Sequence, residues 1–265
     1  MNMYLHELKA YRKSTFIWTS SILVLVVLLF SMFPSFAREA DEVKKLLEGF
    51  PEALRKAVGL EVESITSLLG FYSYVFFYIT LCGAIQAMNL GTSIVSKEVR
   101  EKTADFLLTK PVTRTQIITS KLLAAFTSLV ITNIAFLIVA ITMASYDKTE
   151  SFSLSQFILI SITLFFIQIM FMSLGVFLSV VLRKVKAVLP ISLGTVFAFF
   201  FIGMFGATTG DEKVRYMTPF KYFEPSYIIK NSTYEWSYIF IGLGFVLLAI
   251  GLSYYIYGKK DIQAV

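Results

Sequence analysis

Six uninterrupted apolar runs restrict the folds that are open to this sequence. None of them contains Asp, Glu, Lys or Arg, and they cover about residues 16–36, 68–95, 122–145, 152–182, 187–209 and 236–257. Each run has the roughly 20 residues that a helix needs to cross about 30 Å of hydrocarbon. A soluble fold of 265 residues could not bury six such runs together with 26 Phe side chains. We therefore interpret the chain as an integral membrane protein.

The backbone of each run must satisfy its own hydrogen bonds, because lipid offers none. Only helices and closed barrels meet this requirement. The runs lack the strict alternation of polar and apolar residues that is typical of membrane strands. The sequence therefore predicts an all-α, polytopic membrane protein, with six transmembrane helices in a single domain over residues 1–265.

Basic residues are distributed unequally between the two sets of connecting segments. With the N-terminus inside, the inner segments carry 14 Lys and Arg residues; these segments are 1–15, 96–121, 183–186 and 258–265. The outer segments are longer, carry the other 10, and hold 13 of the 18 acidic residues. Because basic residues concentrate in cytoplasmic loops, both termini are predicted to be cytoplasmic, in a plasma membrane. The net charge of +6 then faces lipid headgroups rather than nucleic acid.

The first residues of the chain have an amphipathic pattern. One face of a helix over residues 1–13 would carry the apolar residues, and Lys9, Arg12 and Lys13 would lie towards the other. This pattern predicts an amphipathic interfacial helix; the alternative is a cytoplasmic extension of the first span. Ser35-Phe36-Ala37 is similar to a signal-peptide cleavage site. The run before it exceeds the usual 7–15 apolar residues, so we expect it to be retained as a span.

Two longer segments on the outer side are expected to form small extracytoplasmic helices. The segment 38–59 has apolar residues at helical spacing, interrupted by Gly49 and Pro51, which predicts two short helices joined by a kink. The segment 210–235 is rich in aromatic rings and broken by Pro219 and Pro225. Shallow interfacial or re-entrant helices suit this segment, and a plain aromatic belt is the alternative.

Residues that carry chemistry are scarce. A single histidine, His6, excludes His-pair zinc sites, and Cys82 has no partner for a disulfide, so no metal or catalytic site is predicted. The spans hold no ionisable pair for an intramembrane protease and no midplane charge for an ion-coupled secondary transporter. The chain also has no P-loop of its own. A membrane-anchored assembly or polysaccharide-synthesis factor stays open.

The longest inner segment, residues 96–114, has the most specific pattern. Charged residues come first, then the apolar triplet Phe106-Leu107-Leu108, and then Pro111, which ends a helix. A solvated basic loop would account for the lysines but not for the triplet. A short helix that exposes Phe and Leu beneath a membrane requires a protein partner to bury them.

This segment resembles the loop after the second span in permease subunits of ABC-2 type ABC transporters. That loop reads roughly Glu-x-x-x-Gly-Thr-Leu-x-x-Leu-Leu-x-x-Pro-Val-Ser-Arg, followed by a Lys that opens the third span. The matching residues here are Glu98, Thr103, Leu107, Leu108, Pro111, Val112, Arg114 and Lys121. The chain departs from the pattern at Lys102, Ala104 and Thr113. Thr218-Pro219-Phe220-Lys221-Tyr222-Phe223 is also similar to the family's segment before the last span, so the resemblance covers nearly the whole chain.

The resemblance implies half of a transporter. Two permease chains, identical or homologous, would pair with two copies of an ABC ATPase subunit that holds ATP and Mg, so this chain would be no enzyme and carry no cofactor. Residues 96–114 would be the coupling helix docked in the ATPase. The residues expected there are Glu98, Arg100, Glu101, Thr103, Asp105, Phe106, Leu107, Leu108, Pro111 and Arg114. The second and fifth spans would help to line the central path.

The spans contain a few polar residues and an aromatic cluster. Gln86 and Asn89 in the second span, and Phe197 and Phe201 in the fifth, are candidates for the path or for the seam between two permeases. The alternatives are interhelical hydrogen bonds for the amides and lipid contact for the rings. An apolar path without fixed charge suits export of a hydrophobic or amphipathic molecule, preferably a membrane-active peptide. Lipids, drugs and ions stay open as cargo.

Overall fold

The computed structural model describes residues 3–57, 64–101, 112–146, 152–182 and 184–259. All regular structure in these residues is helical. Six helices in them are long and apolar enough to cross a membrane: α1 (Met3–Phe30), α5 (Leu68–Arg100), α6 (Arg114–Tyr146), α7 (Leu154–Val181), α8 (Val188–Thr209) and α11 (Trp236–Lys259). The predicted all-α fold with six spans is therefore confirmed.

Short helices connect the spans at the end of the bundle that lies away from Met3. They are α2 (Phe33–Arg38), α3 (Ala40–Glu48), α4 (Glu52–Ala57), α9 (Glu212–Arg215), a 3₁₀ turn (Pro219–Lys221) and α10 (Pro225–Asn231). Gly49 and Pro51 separate α3 from α4, as the sequence predicts. Pro219 and Pro225 each open a short helix, because proline lacks the N–H that a first helical residue leaves unpaired.

The N-terminal segment is continuous with the first span. Because residues 9–16 contain neither Gly nor Pro, nothing interrupts α1 between Met3 and Phe30. Its first turns pack onto the bundle: the Tyr4 hydroxyl lies 3.0 Å from Thr127 Oγ1, and the Tyr11 hydroxyl lies 3.0 Å from Ser93 Oγ. This corrects the expectation of a separate amphipathic helix at the membrane surface. The alternative, an extension of the first span, is what the structure has.

Local capping sets the ends of two of the spanning helices. α6 begins at Arg114, eight residues before its apolar run, because Thr113 and Gln116 form a reciprocal capping box. The Thr113 N–H donates to Gln116 Oε1 at 3.0 Å, and the Gln116 N–H donates to Thr113 Oγ1 at 3.2 Å. α8 ends at Thr209, where its apolar run also ends, and the next residue, Gly210, caps it with a φ of 68° that side-chain-bearing residues rarely adopt.

α5 and α7 form the centre of the bundle, and α8 and α11 lie at its periphery. More than half of the apolar window of α5 and of α7 is buried, against 17% for α8 and for α11. The two central helices approach closely at Gly91, where a Cβ atom would lie 2.2 Å from the carbonyl oxygen of Met172. Glycine at this crossing brings the two backbones into contact.

Substituting Gly91 with Ala should destabilise the bundle. The added methyl group forces α5 and α7 apart, and such overpacking costs about 1–3 kcal/mol, more than Ala gains over Gly in a helix. The midpoint of thermal unfolding in one detergent should therefore fall. Gly244→Ala on α11 is the control, because nothing lies within 4 Å of a Cβ atom there. A Gly91→Ala protein that unfolds at or above the parent's temperature would contradict this prediction.

The two ends of the bundle differ in the side chains that join their helices. The N-terminal end holds the first turns of α1 and α6 and the last turns of α5 and α11, joined by side chains of Glu7, Glu98, Lys121 and Arg114. The opposite end holds the short helices, where Gln156 of α7 donates to the carbonyl of Ile229 at 2.7 Å.

Candidate functional site

The segment predicted to contact an ATPase lies at the N-terminal end, between α5 and α6. Glu98, Arg100, Glu101 and Arg114 are described. The other predicted contact residues, Thr103, Asp105, Phe106, Leu107, Leu108 and Pro111, lie outside the described residues. A helix around Phe106 therefore stays a prediction, whereas both attachments of the segment to the bundle are defined.

Both attachments are hydrogen-bonded to other spans. At the end of α5, Arg100 Nη2 donates to Ser93 Oγ at 3.5 Å, and that oxygen also pairs with the Tyr11 hydroxyl of α1. At the start of α6, Arg114 Nη1 donates to the carbonyl oxygen of Tyr257 at 3.4 Å. The segment is therefore attached to α1 at its start and to α11 at its end, while Glu101 is exposed.

A buried ionic triad of Glu7, Glu98 and Lys121 lies beside this segment. Lys121 Nζ, on α6, lies 3.0 Å from Glu7 Oε1 on α1 and also pairs with Glu98 Oε1 in the last turn of α5. The same nitrogen donates to the carbonyl oxygen of Ile94 at 2.7 Å. Lys121 is 1% exposed and Glu7 is 3% exposed, so water contributes little to holding these charges.

The triad assigns Glu98 a position that the sequence did not predict. Its carboxylate pairs with Lys121, and its side chain is only 15% exposed, so it is directed into the bundle. Glu7 was not among the predicted site residues. A signal was present, because Glu7 shares a helical face with Tyr4 and Tyr11, the face that packs on the bundle.

A hydrogen-bonded network of five polar side chains joins four spans in the middle of the bundle. Gln86 of α5 donates to Thr132 Oγ1 of α6 at 2.9 Å, and the Thr19 hydroxyl of α1 lies 2.8 Å from that oxygen. Gln168 of α7 donates to Gln86 Oε1 at 3.1 Å, and Asn133 donates to Gln168 Oε1 at 2.5 Å. This placement favours interhelical hydrogen bonding for Gln86 over a position on the path.

Asn89, Phe197 and Phe201 have more open surroundings. Asn89 is half-buried on α5, and within the described residues its side chain has no hydrogen bond. The rings of Phe197 and Phe201 stack on α8 with centroids 6.0 Å apart, and Phe201 is 60% exposed. Phe200 joins α8 to α5 through Phe77, with ring centroids 4.9 Å apart. These candidates for the path or seam therefore lie on two adjacent spans.

A cavity of about 320 Å³ lies at the opposite end, between α5, α8 and the segment after α8. Its charged lining residues are Lys56, Lys221 and Glu224, with Lys221 Nζ 3.8 Å from Glu224 Oε1. Thr80, another lining residue, lies about 18 Å along α5 from Leu68. The aromatic lining consists of Phe76, Phe77, Phe220 and Phe223. The cavity thus combines charged groups with an aromatic wall inside the spans.

An arginine clamp holds the segment after α8 against α11. Arg215 forms an ion pair with Glu235, and its Nη1 donates to Glu235 Oε2 at 3.1 Å. Its Nε donates to the carbonyl of Lys221 at 2.8 Å, and its guanidinium carbon lies 4.0 Å from the ring centroid of Tyr238. Burial alone would lower the pKa of Arg215, but Glu235 and Glu224 outweigh it and raise that pKa. The segment that carries two charged residues of the cavity is therefore fixed.

Comparison with known proteins identifies the family. The profile described as "ABC-2 family transporter protein" matches residues 1–262, which is nearly the whole chain. A search of curated proteins finds no match. The six spans of the structure agree with the family match, and so does the sequence pattern from Glu98 to Lys121. The chain therefore belongs to the ABC-2 family of transporter proteins, as a membrane permease component of an ABC transporter.

Proposed function

We propose that this chain is the permease half of an ATP-driven exporter that moves a hydrophobic or amphipathic molecule out of the cell. A membrane-active peptide is the preferred cargo. Two ATPase subunits hold ATP and Mg, and a second permease chain, identical or homologous, completes the path in the plasma membrane. The N-terminal end faces the cytoplasm and the ATPase, through residues 96–114. The observation that carries this proposal is the family match over residues 1–262.

The chemistry of the cavity supports an amphipathic cargo. Lys221 and Glu224 supply charges of both signs, and the aromatic wall supplies apolar surface that extends to Thr80. Sites of this size bind ligands through apolar walls with a few polar groups that fix orientation. A small ion would gain nothing from such walls, since the apolar runs hold no fixed charge to replace its water.

Reconstitution with the ATPase tests this function. The two proteins should copurify, and ATP hydrolysis in proteoliposomes should rise when an amphipathic peptide is added. Sodium, a drug and a phospholipid added to parallel samples distinguish the alternative cargoes. If sodium raises the rate of ATP hydrolysis and no peptide does, a peptide cargo is refuted. A chain that never associates with an ATPase would favour the assembly factor and refute the exporter.

Filling the cavity should weaken the response to peptide. In a Thr80→Trp variant, the indole would occupy part of the cavity that Thr80 lines, so peptide should need about tenfold higher concentration for half-maximal stimulation of hydrolysis. Ile134→Trp is the control, because Ile134 is 56% exposed on α6, away from this cavity. Basal hydrolysis of both variants is measured in the same samples. An unchanged peptide response in Thr80→Trp would show that cargo does not use this cavity.

Native mass spectrometry of the complex should show two permeases and two ATPases. The half-buried Asn89 amide lies in a span and has no hydrogen bond among the described residues, and a second permease covering α5 would remove it from lipid. Asn89→Leu should therefore weaken association of the permeases, while Cys82→Ser, also half-buried on α5, is the control. One permease for each pair of ATPases would be the wrong stoichiometry for this proposal.

A further inference from the structure

The triad of Glu7, Glu98 and Lys121 uses the full bonding capacity of one ammonium group. Lys121 has three N–H donors, and its three acceptors are Glu7 Oε1, Glu98 Oε1 and the carbonyl oxygen of Ile94. A cation that is 1% exposed and fully paired has no better arrangement to move to. Its position on α6 is therefore fixed relative to both α1 and α5.

The triad also joins three helices at residues 96–114, the predicted coupling segment: α5 and α6, which carry its two ends, and α1. Glu98 lies within the segment, in the last turn of α5, and Lys121 lies two turns into α6, seven residues after the segment's end. Glu7 belongs to α1, which contacts the segment's start through Tyr11 and Ser93. Apolar surfaces can slide past each other at little cost, whereas a buried ion pair resists separation because each charge would lose its partner. Movement of the end of α5 is therefore transmitted to α1 and α6.

One carboxylate oxygen in the triad is left over. The two glutamates share a single lysine, and Glu7 Oε2 is buried with no hydrogen-bond partner among the described residues. Such an unpaired oxygen costs stability rather than adding it. A staple that only held the helices together would not need this second carboxylate, since a glutamine would still offer one oxygen to Lys121 and would leave the triad without net charge.

From these observations we propose that Glu7, Glu98 and Lys121 are positioning residues that transmit movement of the coupling segment into the spans. The proposal rests on the proposed function, in which an ATPase moves residues 96–114. Docking of the ATPase displaces the end of α5, Glu98 draws Lys121 with it, and Lys121 draws Glu7. The first and third spans then move with the second as one unit.

The test compares Glu7→Gln with Glu7→Asp in the complete complex, in proteoliposomes. Glutamine keeps the shape of the side chain but removes its charge, and aspartate keeps the charge but shortens the side chain. The measurements are thermal stability, ATPase association, ATP hydrolysis and cargo transported per ATP. Glu7→Gln should retain the parent's stability and association, but transport per ATP should fall about fivefold, because a neutral amide holds the Lys121 ammonium less strongly than a carboxylate does. Glu7→Asp should retain more transport per ATP than Glu7→Gln.

The control is Lys9→Gln, which changes one charge on the exposed side of the same helix and should leave all four measurements unchanged. A purely structural role for Glu7 predicts the reverse order, with Gln as good as the parent and Asp worse, and that result would overturn the proposal. A parent complex without ATP-dependent transport would refute the proposed function and this inference with it. Normal transport by the parent and equal transport per ATP by Glu7→Gln would refute the triad's role alone.

Discussion

Replacing Phe106 and Leu107 together with Ser should abolish stable association with the ATPase. Burying one such side chain contributes roughly 1.5–3 kcal/mol, so the double variant should lose at least about 3 kcal/mol of binding free energy. This corresponds to an increase of the dissociation constant by more than about a hundredfold. Surface charges such as Arg100 and Glu101 should affect the rate of association more than its strength. The measurement is the dissociation constant between the detergent-solubilised permease and its ATPase.

The double variant should insert and fold as the parent does, because neither residue lies in an apolar run. Helix content by circular dichroism and the thermal unfolding midpoint check this. Leu46→Ser with Leu54→Ser is the matched control, since both are exposed leucines on the short helices at the opposite end. A Phe106/Leu107 variant that binds the ATPase and transports as the parent does would show that the assignment of residues 96–114 as the coupling helix is wrong.

The spans were predictable from the sequence because their length and lack of charge follow directly from the thickness of the bilayer. The residues at which the helices begin and end were harder to predict from the sequence. α5 continues to Arg100 and α6 begins at Arg114, since a helix ends where its hydrogen bonds are capped or broken, not where its side chains turn polar. The same reason accounts for the N-terminal segment, which continues α1 instead of lying along the surface.

The candidate site was only partly predictable. The pattern around Glu98 and Lys121 predicts a coupling segment, which stays a prediction, and the polar residues of the spans stand out in the sequence as unusual. The pairing of Glu98 and Lys121 with Glu7 depends on how three helices pack, and no local pattern encodes that contact. For the same reason the sequence does not decide whether Gln86 lines the path or forms an interhelical hydrogen bond. In the structure its amide pairs with Thr132 and Gln168.

Removing the cation of the triad should have the largest effect on stability. In Lys121→Met, the methionine fills similar space, but Glu7 and Glu98 lose their shared partner and two carboxylates face each other in a buried site. Removing one partner of a buried ion pair typically costs about 3–5 kcal/mol. The thermal unfolding midpoint in detergent should fall sharply, and the yield of folded protein with it. Lys13→Met, an exposed lysine of α1, should have little effect.

Neutralising the whole triad distinguishes a lost ion pair from a simple packing defect. In the triple variant Lys121→Met, Glu7→Gln and Glu98→Gln, no charge is left without a partner, so most of the stability lost in Lys121→Met should return. A packing defect caused by methionine would persist in the triple variant, and equal unfolding temperatures for the single and triple variants would contradict the ionic account. If the triple variant is stable yet transports poorly, the charges are needed for coupling and not for folding, because the helices would then be assembled without the ionic link between them.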